Sequence, residues 1–276
     1  QRRINFTAIA TVGIYAVKAY ASTSAVAQED DGLLAARNLQ KAFVSAIERA
    51  EKSVVSIARF KSVGVRRVGS AMPPEGAIPN EFGSGVLITN DKGGREPLVL
   101  TNYHLVRGGQ TAGKNIAGKN VESGGSDILV RFHDRHQVRA FIIAADPRSD
   151  LAVLKLKLVG SGVKPSSLIP FKLGTAATFR KGQLVVTLAN PYAKSRDGSA
   201  SAGWGIISNI SRRPDRPLSV EGEDPRKQEK IYHFGTLLQI DARLNLGSSG
   251  GAVLNLDGKL IGLITSLAAL QGYEKS

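Results

Sequence analysis

Short apolar runs, each closed off by glycine, proline or polar clusters, recur along most of this chain. In the first half they cover 53–58, 83–89, 97–101, 128–132, 137–144 and 151–156. In the second half they cover 184–188, 205–210, 237–240, 252–255 and 260–265. Runs of this length between turn formers are the signature of strands. Residues 128–132 and 137–144 read as a hairpin, with Asp134 and Arg135 near its turn. One stretch keeps a different period. Across 33–51, Leu39, Phe43, Val44, Ile47 and Ala50 recur at steps of three and four, which predicts an amphipathic helix packed on the strands. Segments 63–78, 107–126 and 211–230 carry Gly, Pro, Asn and charge and are expected to be surface loops. The Gly/Ser/Pro stretch 159–168 divides the strands into two consecutive all-β halves.

The N-terminus has its own pattern. Gln1-Arg2-Arg3 precedes a mostly apolar run, 4–17, then small residues up to Ala27, then Gln28-Glu29-Asp30-Asp31. A positive start, an apolar run too short for a comfortable membrane span and Ala-x-Ala before a polar stretch is an export signal. The expected organisation is therefore a signal or membrane-targeting segment at 1–27 and a helix with a lead-in strand at 28–58. A first β half follows at 59–160 and a second at 161–276. The alternatives for the leader are an uncleaved anchor or an organellar presequence.

Composition changes this picture little. With 42% hydrophobic and 22% charged residues in 276, the chain is ordinary globular protein. It has no cysteine, so neither a disulfide nor a thiolate metal site is available. The net charge of +14 implies affinity for anionic surfaces or polymers. No basic motif interleaved with aromatics accompanies it, so specific nucleic-acid binding is not expected.

The candidate chemistry centres on Leu244-Asn-Leu-Gly247-Ser-Ser249-Gly-Gly251-Ala-Val253, a polar glycine-rich turn between apolar runs. Gly247 allows a turn in which two amide N–H groups point one way, and Gly250 and Gly251 keep side chains clear of a substrate carbonyl. A serine there has the makings of a nucleophile above an oxyanion hole. It needs a base and an orienter. His104, in Thr101-Asn-Tyr-His104-Leu-Val, and Asp150, in Asp150-Leu-Ala-Val-Leu-Lys, lie upstream at strand ends. An imidazole with a pKa of about 6.5 can take and return a proton near neutral pH. His133, His136 and His233 lack such partners, and His133 with His136 makes an H-x-x-H without a clear third ligand, so no metal site is expected. Asp146 is read as a cap on the Pro147 turn.

The order His, Asp, Ser, with Gln239-Ile-Asp-Ala leading into the serine turn, resembles the protease domain of HtrA/Deg-type trypsin-like serine proteases. The four motifs cover roughly 43–267. The resemblance implies two packed antiparallel β-barrels of chymotrypsin type with His104 and Asp150 on one and Ser249 on the other. It implies an oxyanion hole from the amides of Gly247 and Ser249, no cofactor, a homotrimer, and unfolded or misfolded polypeptide as substrate in a periplasmic or extracellular compartment. Thr265 and Ser266 resemble the strand that pairs with substrate backbone. Arg243 lies near the base of the specificity pocket, where relatives have a small residue; it is expected to point outward, since pointing inward would favour acidic side chains. Ser248 and Leu246 depart from the usual Asn/Asp and Pro. The strand that closes the second barrel, and any PDZ domain, is expected beyond Ser276. Two rivals remain: a silent HtrA-like binding or chaperone protein, and a basic module docking on anionic polymer.

Overall fold

The computed structural model describes residues 31–60, 78–90, 94–109, 115–116, 119–120, 126–171, 179–190, 199–212 and 237–265. The expected leader, most of the loops at 63–78 and 211–230, His233 and Ser266 lie outside them. The chain divides into two units, Gln1–Val44 and Ser45–Ser276. A helix, α1, spans 31–50. Its apolar stripe is less buried than the period suggests. Leu33, Leu34, Leu39 and Val44 are exposed, whereas Ala46 and Ala50 are fully buried. Within the second unit, Gly258 approaches the Ala46 backbone closely, so the small residues, not the leucines, make the tight packing.

The first β body is a closed barrel in the order β1-β2-β3-β8-β7-β6. Its staves are β1 (Val54–Phe60), β2 (Glu81–Asn90), β3 (Gly94–Asn102), β6 (Asp127–Arg131), β7 (Gln137–Asp146) and β8 (Leu151–Leu156), all paired antiparallel. The expected lead-in strand is thus β1 itself, a full stave. Between β3 and β6 lie a single helical turn, α2 (Tyr103–Val106), and a small antiparallel pair, β4 (Asn115–Ile116) with β5 (Lys119–Asn120). The barrel interior is filled by Val55, Ile57, Leu87, Val99, Val130 and Leu154 with Leu105 and Val106 from α2. Alternation decides which β2 residues face inward. Gly85 sits against Val99 and Ile57, so Ser84 beside it faces out.

The second body is a five-stranded sheet, β11-β10-β9-β12-β13. It contains β9 (Leu184–Ala189), β10 (Ser201–Arg212), β11 (Leu237–Ile240), β12 (Ala252–Leu254) and β13 (Leu260–Leu263). Among the described residues it is an open half-barrel with β11 and β13 as its edges. Its core is Val185, Ala189, Ile207, Val253 and Ile264. Strand β10 begins earlier than the apolar pattern predicts. Ser201-Ala202-Gly203-Trp204 carry no strand signal of their own, but they pair in register with 186–189 of β9. Pairing with a buried neighbour overrides weak local propensity.

Candidate functional site

His104 occupies the second position of α2, which follows directly from β3. Asp150 ends the tight connection between β7 and β8. That turn is built by Asp146, as its sequence suggests: the Arg148 N–H donates to Asp146 Oδ1 at 3.1 Å and the Ser149 hydroxyl to Oδ2 at 2.7 Å. The Ser149 hydroxyl holds the Asp146 carboxyl below its ordinary pKa, outweighing the opposing effect of burial. Asp150 leaves the turn at φ 53°, a left-handed conformation that Asp tolerates better than most residues.

The Asp150 side chain is fully buried and multiply bound. Its Oδ1 accepts the His104 backbone N–H at 2.9 Å, and its Oδ2 lies 2.8 Å from His104 Nδ1. Since an ionised carboxylate only accepts, this contact places the proton on Nδ1 and leaves Nε2 as a base. The Asp150 carbonyl accepts from the Tyr103 N–H and from Asn102 Nδ2, each at 3.1 Å. The strained residue is thereby tied to the strand end that carries His104.

Ser249 follows the turn 245–248. The Ser248 N–H donates to the Asn245 carbonyl at 3.0 Å, and Gly247 has φ 84° while Leu246 does not lie in the positive region. That is a type II turn, which needs glycine at its third position. Ser248 carries a role of its own here: its hydroxyl oxygen accepts the Asn245 N–H at 3.1 Å. Beyond the turn, the peptide bonds alternate. The Ser249 carbonyl accepts from Ser84 N, and Gly250 N donates to Ile264 O, each at 2.8 Å. The Gly251 N–H donates to Ser248 O at 2.9 Å. The amides of Gly247 and Ser249 donate to no acceptor among the described residues. Among the described residues, both N–H groups named from the sequence are therefore unspent.

Gly83 of β2 brings the two halves of the site together. A methyl group there would overlap both Leu105, next to His104, and the Ser249 carbonyl at 2.9 Å. No hydrogen bond joins His104 Nε2 to the Ser249 hydroxyl among the described residues; without substrate such contacts are commonly long.

Thr265, expected against substrate backbone, also touches Asp150 through its side chain: its hydroxyl donates to Asp150 Oδ2 at 3.3 Å. Arg243 is exposed and lines a small cavity with Thr187, Ala189, Ser248 and Ile264, beside Ser249. Among the described residues no carboxylate pairs with it. Asp241 instead accepts the Ile206 N–H at 2.6 Å. His136 pairs with Asp134 at 3.1 Å, and among the described residues no group of three or more His, Cys, Asp or Glu is placed to hold a metal ion. Sequence reasoning missed Ser84 and the Asp150 contact of Thr265, because a serine in a strand and a threonine at a strand end carry no local signal.

A family model described as "Trypsin-like peptidase domain" matches residues 83–263. The chain is 30% identical over 205 residues to the periplasmic pH-dependent serine endoprotease DegQ of Escherichia coli K12, covering 74% of this chain and 35% of that protein. It is 32% identical over 191 residues to a probable periplasmic serine endoprotease, DegP-like, of Buchnera aphidicola subsp. Schizaphis graminum, covering 69% and 31%. The chain thus spans about a third of the length of these curated relatives. Among solved structures, Deg5 superimposes with a TM-score of 0.54 at 24% identity, over 82% of this chain and 85% of that one. The HtrA-type protease AlgW with tripeptide gives a TM-score of 0.52 at 24% identity, over 80% and 53%.

Proposed function

Because the chain belongs to the trypsin-like peptidase family, in its HtrA/Deg branch, we propose that it is a serine endopeptidase acting on unfolded or misfolded protein. The reading is carried by one observation. A buried carboxylate is closed on His104 Nδ1 at 2.8 Å, in a site whose serine turn keeps two amides unspent among the described residues. In this reading Ser249 Oγ attacks the scissile carbonyl and passes its proton to His104 Nε2. Asp150 stabilises the imidazolium, and the amides of Gly247 and Ser249 hold the oxyanion. The proton then goes to the leaving amine, giving an acyl-enzyme. Water, deprotonated by the same imidazole, releases the acid and restores Ser249.

Two amides are the feature that separates this from the silent chaperone reading. A collapsed hole would have one of them spent on an internal carbonyl. Export to a periplasmic compartment is supported by the leader pattern of residues 1–27 and by the names of the relatives. A homotrimer follows from the resemblance and is read by sedimentation velocity, where a monomer at all concentrations counts against it.

The deciding experiment incubates the protein and Ser249→Ala with unfolded casein. Cleavage by the parent alone is expected. Binding by both with cleavage by neither would put the chaperone reading ahead, and equal cleavage by both would remove Ser249 as nucleophile.

A further inference from the structure

The small cavity beside Ser249 adjoins both segments that carry the site. Ser248, between the two amides of the proposed oxyanion hole, is part of its lining. So is Ile264, which precedes Thr265, whose hydroxyl reaches Asp150. Strand β9 contributes Thr187, on the same strand face as the core residues Val185 and Ala189. Opposite Thr187 in register stands Gly203 of β10. A β-carbon at Gly203 would come within 2.7 Å of Thr187 Oγ1 and 3.4 Å of the Arg243 carbonyl. The missing side chain thus leaves room beside that hydroxyl.

The polar groups of this cavity are all able to donate. Thr187 is only 2% exposed, and its hydroxyl has no hydrogen-bond partner among the described residues. A nearly buried hydroxyl without a partner is a standing loss that a bound polar group removes. The Ser248 hydroxyl oxygen accepts the Asn245 N–H, so its own proton is left to donate. Arg243 is exposed, which assigns it to the rim, and among the described residues no carboxylate pairs with it. Asp241, two residues before it, is taken by the Ile206 N–H. Two hydroxyl donors and an unpaired guanidinium, with no carboxylate among them, are complementary to an anionic acceptor. With the scissile carbonyl on the Gly247 and Ser249 amides, the adjoining substrate side chain has the Ser248 wall beside it. We propose that this cavity takes the side chain on the acyl side of the scissile bond, and that Arg243 makes it select an acidic one. The proposal rests on the peptidase reading and names the substrate feature that the site chooses. An aliphatic side chain would occupy the same space and leave the Thr187 hydroxyl and the Arg243 charge unanswered.

The test measures kcat/KM on matched peptides that differ only in the residue before the scissile bond: Glu, its isostere Gln, Val and Lys. The enzymes are the parent, Ser249→Ala, Arg243→Ala and Arg243→Glu, each with a thermal melt. Glu and Gln have the same shape, so their ratio reads charge alone. The parent is expected to favour Glu over Gln by roughly tenfold, the scale of one hydrogen bond to a charged group. Arg243→Ala is expected to bring that ratio close to one, and Arg243→Glu to shift preference to Lys. Both variants should melt with the parent, because an exposed side chain is being changed. A further peptide carries Gln before the bond and Glu three residues beyond it, on the leaving side. If that peptide gains as much as the Glu peptide, the effect is general attraction to a basic chain and the proposal is overturned. Equal rates for Glu and Gln in the parent, or a Glu preference that survives in Arg243→Ala, overturn it as well. In each of those cases peptides are still cut and the peptidase reading stands. A parent as inert as Ser249→Ala on every peptide sinks that reading, and the proposal with it.

Discussion

Asp150 shows what one residue can be asked to do. It is buried, sits at φ 53°, orients His104 through two contacts and receives the Thr265 hydroxyl. A left-handed non-glycine residue costs about 1–2 kcal/mol, and the two donors on its carbonyl help to offset that. Asn fits the same backbone, so Asp150→Asn should fold while presenting the wrong partner to Nδ1–H. A fall in kcat of about 10⁴-fold is expected, with an unchanged melting temperature. Retention of full turnover would remove Asp150 from the mechanism. The motif around Asp150 marks the residue in the sequence. The contact of the Thr265 hydroxyl with Asp150 was not legible, because its partner lies 115 residues earlier.

At the level of elements, the serine turn works because β2 lies against it. Gly250 has φ 81°, and a β-carbon there would strike the Ser84 carbonyl and the Thr101 hydroxyl, the latter at 2.6 Å. Both are parts of the first barrel that cannot retreat without breaking their own hydrogen bond. Gly250→Ala is therefore expected to lower the melting temperature by several degrees, since each kcal/mol is worth roughly 2–4 °C in a domain of this size. It should also cut the number of titratable sites. Calorimetry alongside active-site titration checks both, and an unchanged melt with full titration would contradict the close approach. Strand signals were legible wherever apolar runs met turn formers, as in Leu151–Leu156 and Leu237–Ile240. They failed at the start of β10, while at α1 the period gave the helix but not its buried face. There the deciding factor was which neighbour covers the segment, and periodicity alone does not contain it.

For the whole molecule, the net charge of +14 sets a property that catalysis does not need. It should draw the protein onto polyanions by counterion release, a binding mode indifferent to Ser249. Ser249→Ala is expected to bind a sulfated polysaccharide as the parent does, and to lose affinity by roughly tenfold or more between about 50 and 200 mM salt. Binding insensitive to salt would exclude this contribution. The same scale explains the division of labour between the two β bodies. The closed barrel brings His104 and Asp150, the open sheet brings Ser249, and Gly83 and Ser84 are where they meet.

By itself, the sequence determined the all-β plan, and it nominated His104, Asp150, Ser249 and Gly247 as site residues. The plan follows from local periodicity and turn chemistry within a few residues, and the nominations from four motifs in an order that resembles a known family. Only the tertiary structure decided which amides stay unspent, that Thr265 turns to Asp150, and that Ser84 holds the Gly247 carbonyl from 163 residues away. Those outcomes depend on which groups are left facing each other once both β bodies have closed. A hydrogen bond between distant strands leaves no periodic trace in either one.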